Sequence, residues 1–581
     1  MQESFTLDTP MAGRRTRRSW PAWLRASRPA PAQWLLAVLS ALLLILAFPD
    51  FDLWPLAWVA LVPLIFAIVR RHQTSAPQAF VLGWTTGTLF FYGSCWWLTH
   101  SMIHYGGIPR WLAFVLLAPL TLVAGLFPGL FALALWRLST RWGVGRVVLL
   151  VPFLWAAQEW ARLGVTGQLW NAVGYSQAFH PPLIQAASWG GVYAVGFLIT
   201  TLNAALAYAL ISRTLRALML TALPVAFVSA ALYASVTINF IDSALKSQPA
   251  AAVVIGVQPN VIPDFSRTLE ENEALVNRHL TMSADALREW ERARPTQLLR
   301  APAQSDNANE AAGNGTMNEV AIANLPRVVV WPESPMNFTY ARDAQFRETV
   351  GEFARTERTA VLFNALEPAP AGGAYNSAVM VDAAGRLVAQ YDKIRLLPFG
   401  EYVPLPRWLP GASLVTAIVG EFTPGADYPL MPVGEARAGV FICIESAYPS
   451  ITRRFTQAGA DVLINISNDG YLGRTPVLRQ HLANTIFRAV ETRRPVLRVT
   501  NTGISAHVSP RGEVGGATDS FEPAVRTWLV SRSDGEQTFY TRYGDLFVML
   551  CAAVSVLALL LASVGFRRLK HRRPLVTGEG L

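Results

Sequence analysis

Residues 438–446 read AGVFICIES, an apolar run that ends at a single cysteine, Cys443. The β-branched and aromatic residues of this run predict a buried β-strand, and the polar residues after it predict the end of the strand. In open α/β sheets, the side chains at the carboxyl ends of the strands assemble the functional sites. We therefore expect an α/β domain in which Cys443 lies at the carboxyl edge of the sheet.

The sequence on either side of this strand alternates between short apolar runs and helical stretches, which is typical of an α/β domain. Strands are predicted at residues 253–258, 327–331, 360–366, 375–382, 386–392, 438–443, 461–467 and 495–501. Helices are predicted at residues 269–293, 343–356, 450–459 and 476–492. The polar stretch 295–325 is rich in Ala, Asn and Gly and predicts a flexible insertion.

The chain as a whole is too apolar for an ordinary soluble protein, since 52% of its 581 residues are hydrophobic. A bilayer core needs about 20 mostly apolar residues per helix. We predict seven spans before the α/β domain and one after it, at residues 34–48, 55–69, 79–98, 111–135, 147–163, 191–211, 217–236 and 546–566. The first two are short and separated only by PDFDLWP, so they form either a tight hairpin or a partly re-entrant pair.

The basic residues decide the predicted orientation. Arg and Lys cluster at residues 14–28, 70–71, 137–146, 213–216 and 567–573, and all five clusters fall on one side if every predicted span crosses. The positive-inside rule identifies that side as the cytoplasm. The chain then divides into a basic cytoplasmic N-terminus (1–32), a membrane domain (33–238), an extracytoplasmic catalytic domain (239–543), a transmembrane helix (544–566) and a basic cytoplasmic tail (567–581). The net charge of +10 follows this topology, and no nucleic-acid partner is expected.

Two further residues with catalytic chemistry follow predicted strands, Glu333 and Lys393. A carboxylate can take the proton of a thiol, and an ammonium together with a backbone N–H can stabilise an oxyanion. If one sheet brings these groups to Cys443, they can perform acyl transfer through a thioester. The alternative to a catalytic role is that the cysteine is a small residue buried in the core. The other two cysteines lie in predicted spans, so we expect no disulfide framework, no zinc site and no cofactor.

Three motifs in this order resemble the Glu-Lys-Cys motifs of the nitrilase superfamily: WPES (331–334), YDKIRLLPFGEYVP (391–404) and ICIES (442–446). Residues 467–508 are similar to one branch of it, the apolipoprotein N-acyltransferases, and the likeness covers nearly the whole chain. The resemblance implies a multi-span α-helical membrane bundle with an extracytoplasmic nitrilase-like α/β domain, an α-β-β-α sandwich. It also implies a bacterial inner membrane with the catalytic domain in the periplasm.

The activity that the resemblance implies is acyl transfer from a membrane phospholipid, through a thioester on Cys443, to the N-terminal amino group of the S-diacylglyceryl cysteine of apolipoproteins. In that assignment Glu333 is the general base and acid, and Lys393 stabilises the oxyanion. Glu401 and Glu445 support the site.

The chain departs from the family pattern at three places, and WPESPMNF (331–338), which lacks the small apolar residues and proline often found just after WPE, is one of them. Ile444 stands where the family usually has a tyrosine directly after the nucleophile, so only the backbone N–H of this residue is available for an oxyanion hole. The aromatic lid residue expected after the first strand has Phe265 as its stand-in, with a substrate-binding role.

Two other functions stay open at this point. A membrane-anchored amidase or nitrilase-type hydrolase would resolve the thioester with water and release a free acid. A non-catalytic scaffold would bind lipid-modified partners, although a degenerate site is expected to lose one of the three catalytic residues. Outside the motifs, His481 is expected to have a packing or hydrogen-bonding role, and Trp96 and Trp97 to form part of an interfacial aromatic belt.

Overall fold

The computed structural model describes residues 28–70, 74–244, 248–264, 267–298, 324–333, 338–370, 372–398, 400–402 and 422–570. Phe265 lies outside the described residues, as does most of the predicted insertion 295–325. The beginning of that insertion is described and is helical, because the helix predicted to end at residue 293 continues to Leu298.

Before the α/β domain, the described chain is helical. Its α-helices are α1 (Pro31–Ala47), α2 (Val62–Val69), α3 (Ala76–Ser94), α4 (Leu98–His104), α5 (Arg110–Trp142), α6 (Val144–Val147), α7 (Val151–Thr166), α8 (Pro181–Ile184), α9 (Ala187–Ser212) and α10 (Leu215–Ala244). Helices in the C-terminal half are α11 (Leu269–Leu298), α12 (Ala344–Glu357), α13 (Pro449–Gln457), α14 (Val477–Thr492), α15 (Phe539–Tyr543) and α16 (Leu546–Lys570).

Within the described ranges, the helices α5, α9, α10 and α16 are long and apolar enough to cross a membrane. The predicted span 55–69 is not one helix: a 3-10 helix (Trp54–Trp58) precedes α2. Pro63 in the first turn of α2 explains the break, because proline has no backbone N–H to continue a helix from the residues before it. In α9 the helix bends at Gly191, whose φ of 64° is readily accessible to glycine.

The α/β domain is built from twelve described strands. These are β1 (Ala250–Gln258), β2 (Arg327–Val330), β3 (Ala360–Pro368), β4 (Ala374–Val381), β5 (Leu387–Asp392), β6 (Leu430–Val433), β7 (Ala436–Ile442), β8 (Val462–Ser467), β9 (Val496–Thr500), β10 (Ala506–Val508), β11 (Val514–Gly515) and β12 (Ala524–Ser531). They form a first sheet in the order β12-β1-β2-β3-β4-β5 and a second sheet in the order β11-β10-β9-β8-β7-β6.

The alternation of side chains along β1 shows how the layers are built. Val253 and Ile255 belong to a core with α11 and α12 on the outer face of the first sheet. Ala252 and Val254 belong instead to the core shared with the second sheet, whose own outer face packs against α13 and α14. The α-β-β-α sandwich is therefore confirmed.

Sequence reasoning found eight of these strands within a few residues and missed β6, β10, β11 and β12. The largest of the missed strands, β12, pairs with β1 along nearly its whole length. Most of its residues are exposed or only half-buried, so AVRTWLVS lacks the continuous apolar run that marked the buried strands.

Helix α14 joins the α/β domain to the membrane helices. The Oε1 atom of Gln480 accepts hydrogen bonds from the indole N–H groups of Trp97 at 3.0 Å and Trp170 at 2.9 Å. Its Nε2 atom donates to the backbone carbonyl of Ser94 at 3.0 Å. Trp97 is buried, so its assignment to an interfacial aromatic belt is wrong. Trp96, in contrast, is exposed.

Candidate active site

The strand ends place the three predicted catalytic residues as the carboxyl-edge rule requires, but on two sheets instead of one. Glu333 follows β2 and Lys393 follows β5, both in the first sheet, whereas Cys443 follows β7 in the second. The possibility that one sheet carries all three is therefore not realised. The two sheets face each other in the sandwich, and this packing brings their edges together.

Lys393 lies between two carboxylates. Its Nζ donates to Glu401 Oε1 at 2.9 Å and to Glu333 Oε1 at 3.3 Å. The Lys393 side chain is 1% exposed, and those of Glu333 and Glu401 are 12% and 10% exposed. Burial disfavours the charged ammonium, but Glu333 and Glu401 outweigh it and hold the pKa of Lys393 well above its ordinary value. The site therefore keeps a buried cation between two carboxylates.

An asparagine that the sequence analysis did not single out connects the two carboxylates. Asn376 Nδ2 donates to Glu401 Oε1 at 2.7 Å and to Glu333 Oε1 at 2.9 Å. Its own Oδ1 accepts from Asn364 Nδ2 at 2.7 Å. Both asparagines are buried within strands, where polar side chains need partners. A polar residue inside an otherwise apolar strand was the available signal.

Backbone groups fix the orientation of the carboxylates. Glu333 Oε2 accepts from the N–H of Asn468, just after β8, at 3.0 Å. Glu401 Oε2 accepts from the N–H of Leu397 at 2.7 Å. One oxygen of each carboxylate thus faces Lys393, and the other is held by the chain.

Cys443 begins a 3-10 helix (Cys443–Ala447) directly after β7, and its φ is 52°. This left-handed conformation is uncommon for a residue with a Cβ and marks a tight turn at the nucleophile position. Burial raises the pKa of the thiol well above its ordinary value, with a further increase from Glu333 and an opposing decrease from Lys393. The thiol is therefore protonated at rest and needs a base to become a nucleophile.

Glu445 is fully buried and holds the turn of the nucleophile against the first sheet. Its Oε2 accepts from the N–H of Ile442 at 2.8 Å. Its Oε1 accepts from the hydroxyl of Tyr391 at 2.7 Å and from the N–H of Ile394 at 2.8 Å. Tyr391 and Ile394 flank Lys393 in the sequence, so Glu445 connects the segment that contains Lys393 to the segment that contains Cys443.

His481, on α14, contacts the backbone of Cys443. Its Nε2 lies 2.9 Å from the backbone oxygen of Cys443, and its Nδ1 lies 2.9 Å from Asp469 Oδ1. The hydrogen-bonding role predicted for His481 is correct, but its contact with Cys443 was missed because no motif connects the two. Within the described residues, Cys443, Asp469 and His481 also place one possible metal ligand each within 4.8 Å of one another, although both ring nitrogens of His481 already face oxygen atoms.

These groups supply the parts of acyl transfer: a thiol, a carboxylate, a cation and backbone donors at the same edge of the sandwich. Of the other predicted site residues, Glu401 and Glu445 lie next to Lys393 and Cys443, and Phe265 is outside the described residues. The roles of all six remain proposals.

Comparisons with known proteins agree with this architecture. Residues 40–205 match the apolipoprotein N-acyltransferase N-terminal domain, and residues 250–540 match the carbon-nitrogen hydrolase family. The apolipoprotein N-acyltransferase of Geobacter metallireducens is 32% identical over 544 residues, which cover 92% of this chain and 95% of that protein. The one from Rhizobium meliloti is 28% identical over 554 residues, covering 89% and 94%.

Among solved structures, an amidase from Nesterenkonia sp. aligns at 14% identity with a TM-score of 0.31, covering 51% of this chain and 94% of that chain. The long apolar helices and the relatives together identify a membrane protein, and its α/β domain is that of an acyltransferase. Because both family matches and the relatives extend over nearly the whole length, the chain belongs to the apolipoprotein N-acyltransferase family.

Proposed function

We propose that this protein transfers an acyl chain from a membrane phospholipid to the N-terminal amino group of the S-diacylglyceryl cysteine of apolipoproteins, through a thioester on Cys443. The observation that carries the proposal is the buried Glu333–Lys393–Glu401 cluster, in which a cation and a base share the edge of the sandwich with a protonated thiol. A hydrolase of soluble amides would use the same cluster, but it would not need a bundle of membrane helices.

In the first step Glu333 takes the thiol proton, and the sulfur of Cys443 attacks the ester carbonyl carbon of the phospholipid. Lys393 stabilises the oxyanion of the tetrahedral intermediate. The ester C–O bond then breaks, and the leaving alkoxide takes the proton from Glu333 and departs as a lysophospholipid. The acyl chain remains on Cys443 as a thioester.

In the second step the α-amino group of the apolipoprotein attacks the thioester carbonyl. Glu333 accepts a proton from the nitrogen, and Lys393 again stabilises the oxyanion. The C–S bond breaks as an amide forms, and the sulfur of Cys443 leaves with the proton returned by Glu333. The cysteine is then ready for another phospholipid.

The lipid substrates require a route from the bilayer to Cys443. Exposing an acyl chain to water costs about 0.8 kcal/mol per CH₂. The packing of α14 against the membrane domain supports a direct route, because Gln480, next to His481, accepts hydrogen bonds from Trp97 and Trp170. Ser101, on α4, also donates to the backbone oxygen of Tyr471 at 2.7 Å. We infer that the acyl chain reaches Cys443 between these segments.

The topology follows from the basic clusters. Both termini face the cytoplasm, residues 239–543 lie in the periplasm, and residues 33–238 and 544–566 lie in the bacterial inner membrane. Reporter fusions test this: a fusion at residue 300 is expected to be active only with a periplasmic reporter. A cytoplasmic reporter active at that position would overturn the topology.

The reaction is tested by incubating the purified protein with phospholipid alone and analysing its peptides by mass spectrometry. We expect an acyl adduct on the Cys443 peptide and an equal amount of lysophospholipid. Adding a diacylated lipopeptide should then move the acyl chain to the peptide amine. Release of free fatty acid without an N-acylated peptide would support the hydrolase instead, and no adduct on Cys443 would reject the thioester route.

A further inference from the structure

We propose that His481 is a positioning residue, which anchors the backbone carbonyl of Cys443 and so directs the N–H of Ile444 at the oxyanion. The inference rests on the proposed role of Cys443 as the nucleophile. The inference adds a second oxyanion donor to Lys393 and identifies the side chain that holds this donor in place.

The geometry begins with one peptide bond. His481 Nε2 lies 2.9 Å from the oxygen of Cys443, which belongs to the same peptide unit as the N–H of Ile444. In a trans peptide the C=O and N–H bonds point in opposite directions. A carbonyl held towards α14 therefore turns the Ile444 N–H away from α14, to the other side of the turn.

This N–H is suited to bind an oxyanion. It lies in the first turn of the 3-10 helix (Cys443–Ala447), where backbone N–H groups have no acceptor within the helix. The side chain of Ile444 is apolar and buried, so the backbone is the only hydrogen-bond donor that this residue offers. The turn also depends on external support, because Cys443 has a φ of 52°.

The contacts of His481 determine which of its nitrogens carry protons. The carbonyl of Cys443 can only accept, so Nε2 donates to it. Nδ1 faces Asp469 Oδ1 at 2.9 Å, and burial of this carboxyl is outweighed by Arg498 and His481, which hold the pKa of Asp469 well below its ordinary value. The ionised carboxylate also only accepts. Nε2 is thus the ring nitrogen that donates to the Cys443 carbonyl, an assignment made from this partner.

The ring itself is held in place from several sides. Asp469 Oδ2 accepts from Arg498 Nη2 at 2.7 Å, and the same Nη2 lies 3.1 Å from His481 Nδ1. Arg498 Nη1 donates to Asn465 Oδ1 at 2.5 Å. The Trp170 ring lies 5.8 Å from the His481 ring. His481, Asp469 and Arg498 are all buried, so this arrangement has little freedom to move.

A merely structural histidine and a positioning histidine differ in one measurable respect. Acyl transfer develops an oxyanion, whereas alkylation of the Cys443 thiol by iodoacetamide does not. Loss of the Cys443 carbonyl anchor should therefore slow acyl-enzyme formation and leave alkylation nearly unchanged. General damage to the site would slow both reactions by the same factor.

The test compares two substitutions in the full-length protein in detergent with phospholipid. His481→Phe keeps a planar ring but cannot donate, and we expect its rate of Cys443 acylation to fall by about 10²–10³ while alkylation stays within roughly threefold. His481→Gln keeps an N–H group that can reach the carbonyl, and it should restore acylation to within about tenfold of wild type. His507→Phe is the matched control, because His507 lies on β10, three strands from β7.

The outcomes separate this inference from the proposed function. Acylation of wild-type Cys443 establishes the nucleophile whatever the variants do. Wild-type acylation in His481→Phe, or equal losses of acylation and alkylation, would overturn the positioning role. If His481→Phe does not fold, His481→Asn takes its place, since its shorter side chain does not reach the Cys443 carbonyl, and it should show the same separation of the two rates.

Discussion

The first sheet and the second sheet contribute to the site in different ways. The first sheet supplies charged side chains that contact one another directly, with Lys393 Nζ 2.9 Å from Glu401 and 3.3 Å from Glu333. The second sheet supplies Cys443, and the side chains that support Cys443 form hydrogen bonds with the backbone. His481 holds the carbonyl of Cys443, and Glu445 holds the N–H of the residue before it.

Substitutions on the two sheets should therefore have different effects. On the first sheet they alter the charge that the thiol and the oxyanion experience. On the second sheet they alter the position of the sulfur and of the backbone donors. Acylation of Cys443 measures both effects, whereas the pH dependence of thiol alkylation measures mainly the charge. Measured together, the rates of acylation and alkylation separate the effect of charge from the effect of position.

The largest effect is expected at the thiol itself. Cys443→Ser keeps a similar shape, but the hydroxyl has a much higher pKa than a thiol and Glu333 is too weak a base to activate it. Acyl-enzyme should fall below detection by mass spectrometry. Cys551→Ser, at a buried cysteine of α16, is the control and should acylate normally. A stable acyl adduct on the introduced hydroxyl of Cys443→Ser would contradict the assigned activation.

Removing the proposed base, Glu333, should change the acylation rate and the pH dependence of alkylation in different ways. In Glu333→Gln the proton acceptor is lost, so acylation should fall by about 10²–10⁴. Because the Glu333 carboxylate raises the pKa of Cys443, its removal should move the onset of alkylation to lower pH. The measurement is a pH series of both rates, with the exposed Glu348→Gln as control. An onset shifted to higher pH would reject the charge assignment.

Removing the Lys393 cation should move the pH at which alkylation of Cys443 begins in the opposite direction, to higher pH. Lys393→Ala should slow acylation by about 10²–10³ through the lost oxyanion donor. Because Lys393 lowers the pKa of Cys443, alkylation should begin at higher pH than in wild type. Arg386→Ala, which removes an exposed ion pair with Asp382, is the matched control. Near-normal acylation in Lys393→Ala would exclude Lys393 from the catalytic groups.

A smaller effect is expected at the second carboxylate. Glu401 contacts Lys393 and Asn376, so we expect it to orient these groups without touching the substrate. Glu401→Gln keeps an oxygen acceptor, and acylation should fall by about tenfold, the equivalent of one weakened charged hydrogen bond. A loss as large as that of Glu333→Gln would instead make Glu401 a direct participant.

The smallest effect concerns stability on the side of the second sheet. Burial raises the pKa of Glu491, at the end of α14, to about 7, although Arg488 opposes the shift. The folded protein therefore holds this proton more tightly than the unfolded chain, so the contribution to stability is present at low pH and is lost as the pH rises towards 7. In Glu491→Gln the fall in melting temperature between about pH 5 and pH 8 should be shallower. An unchanged slope would show that Glu491 is ionised in the fold throughout.

Much of the candidate site was predictable because the positions of its residues at strand ends depend on neighbouring residues along the chain. Glu333, Lys393 and Cys443 each follow a strand that its own apolar residues define, and a strand end is a feature of a few neighbouring residues. The motifs around them added the supporting carboxylates Glu401 and Glu445. The boundaries of the buried strands could be read for the same reason.

The contacts among these residues were decided only by the tertiary structure. Asn468 and Glu333 are 135 residues apart, and Gln480 and Trp97 are 383 apart. The sequence did not reveal for this reason that the three predicted catalytic residues lie on two sheets or that Trp97 is buried, since both depend on which distant surfaces pack together. A strand's hydrophobic pattern determines that it is buried, but not which layer covers it. The local sequence therefore identified the candidate reacting groups, whereas the packing of two sheets and a membrane bundle decided which groups surround the thiol, because that packing depends on long-range complementarity that no local pattern encodes.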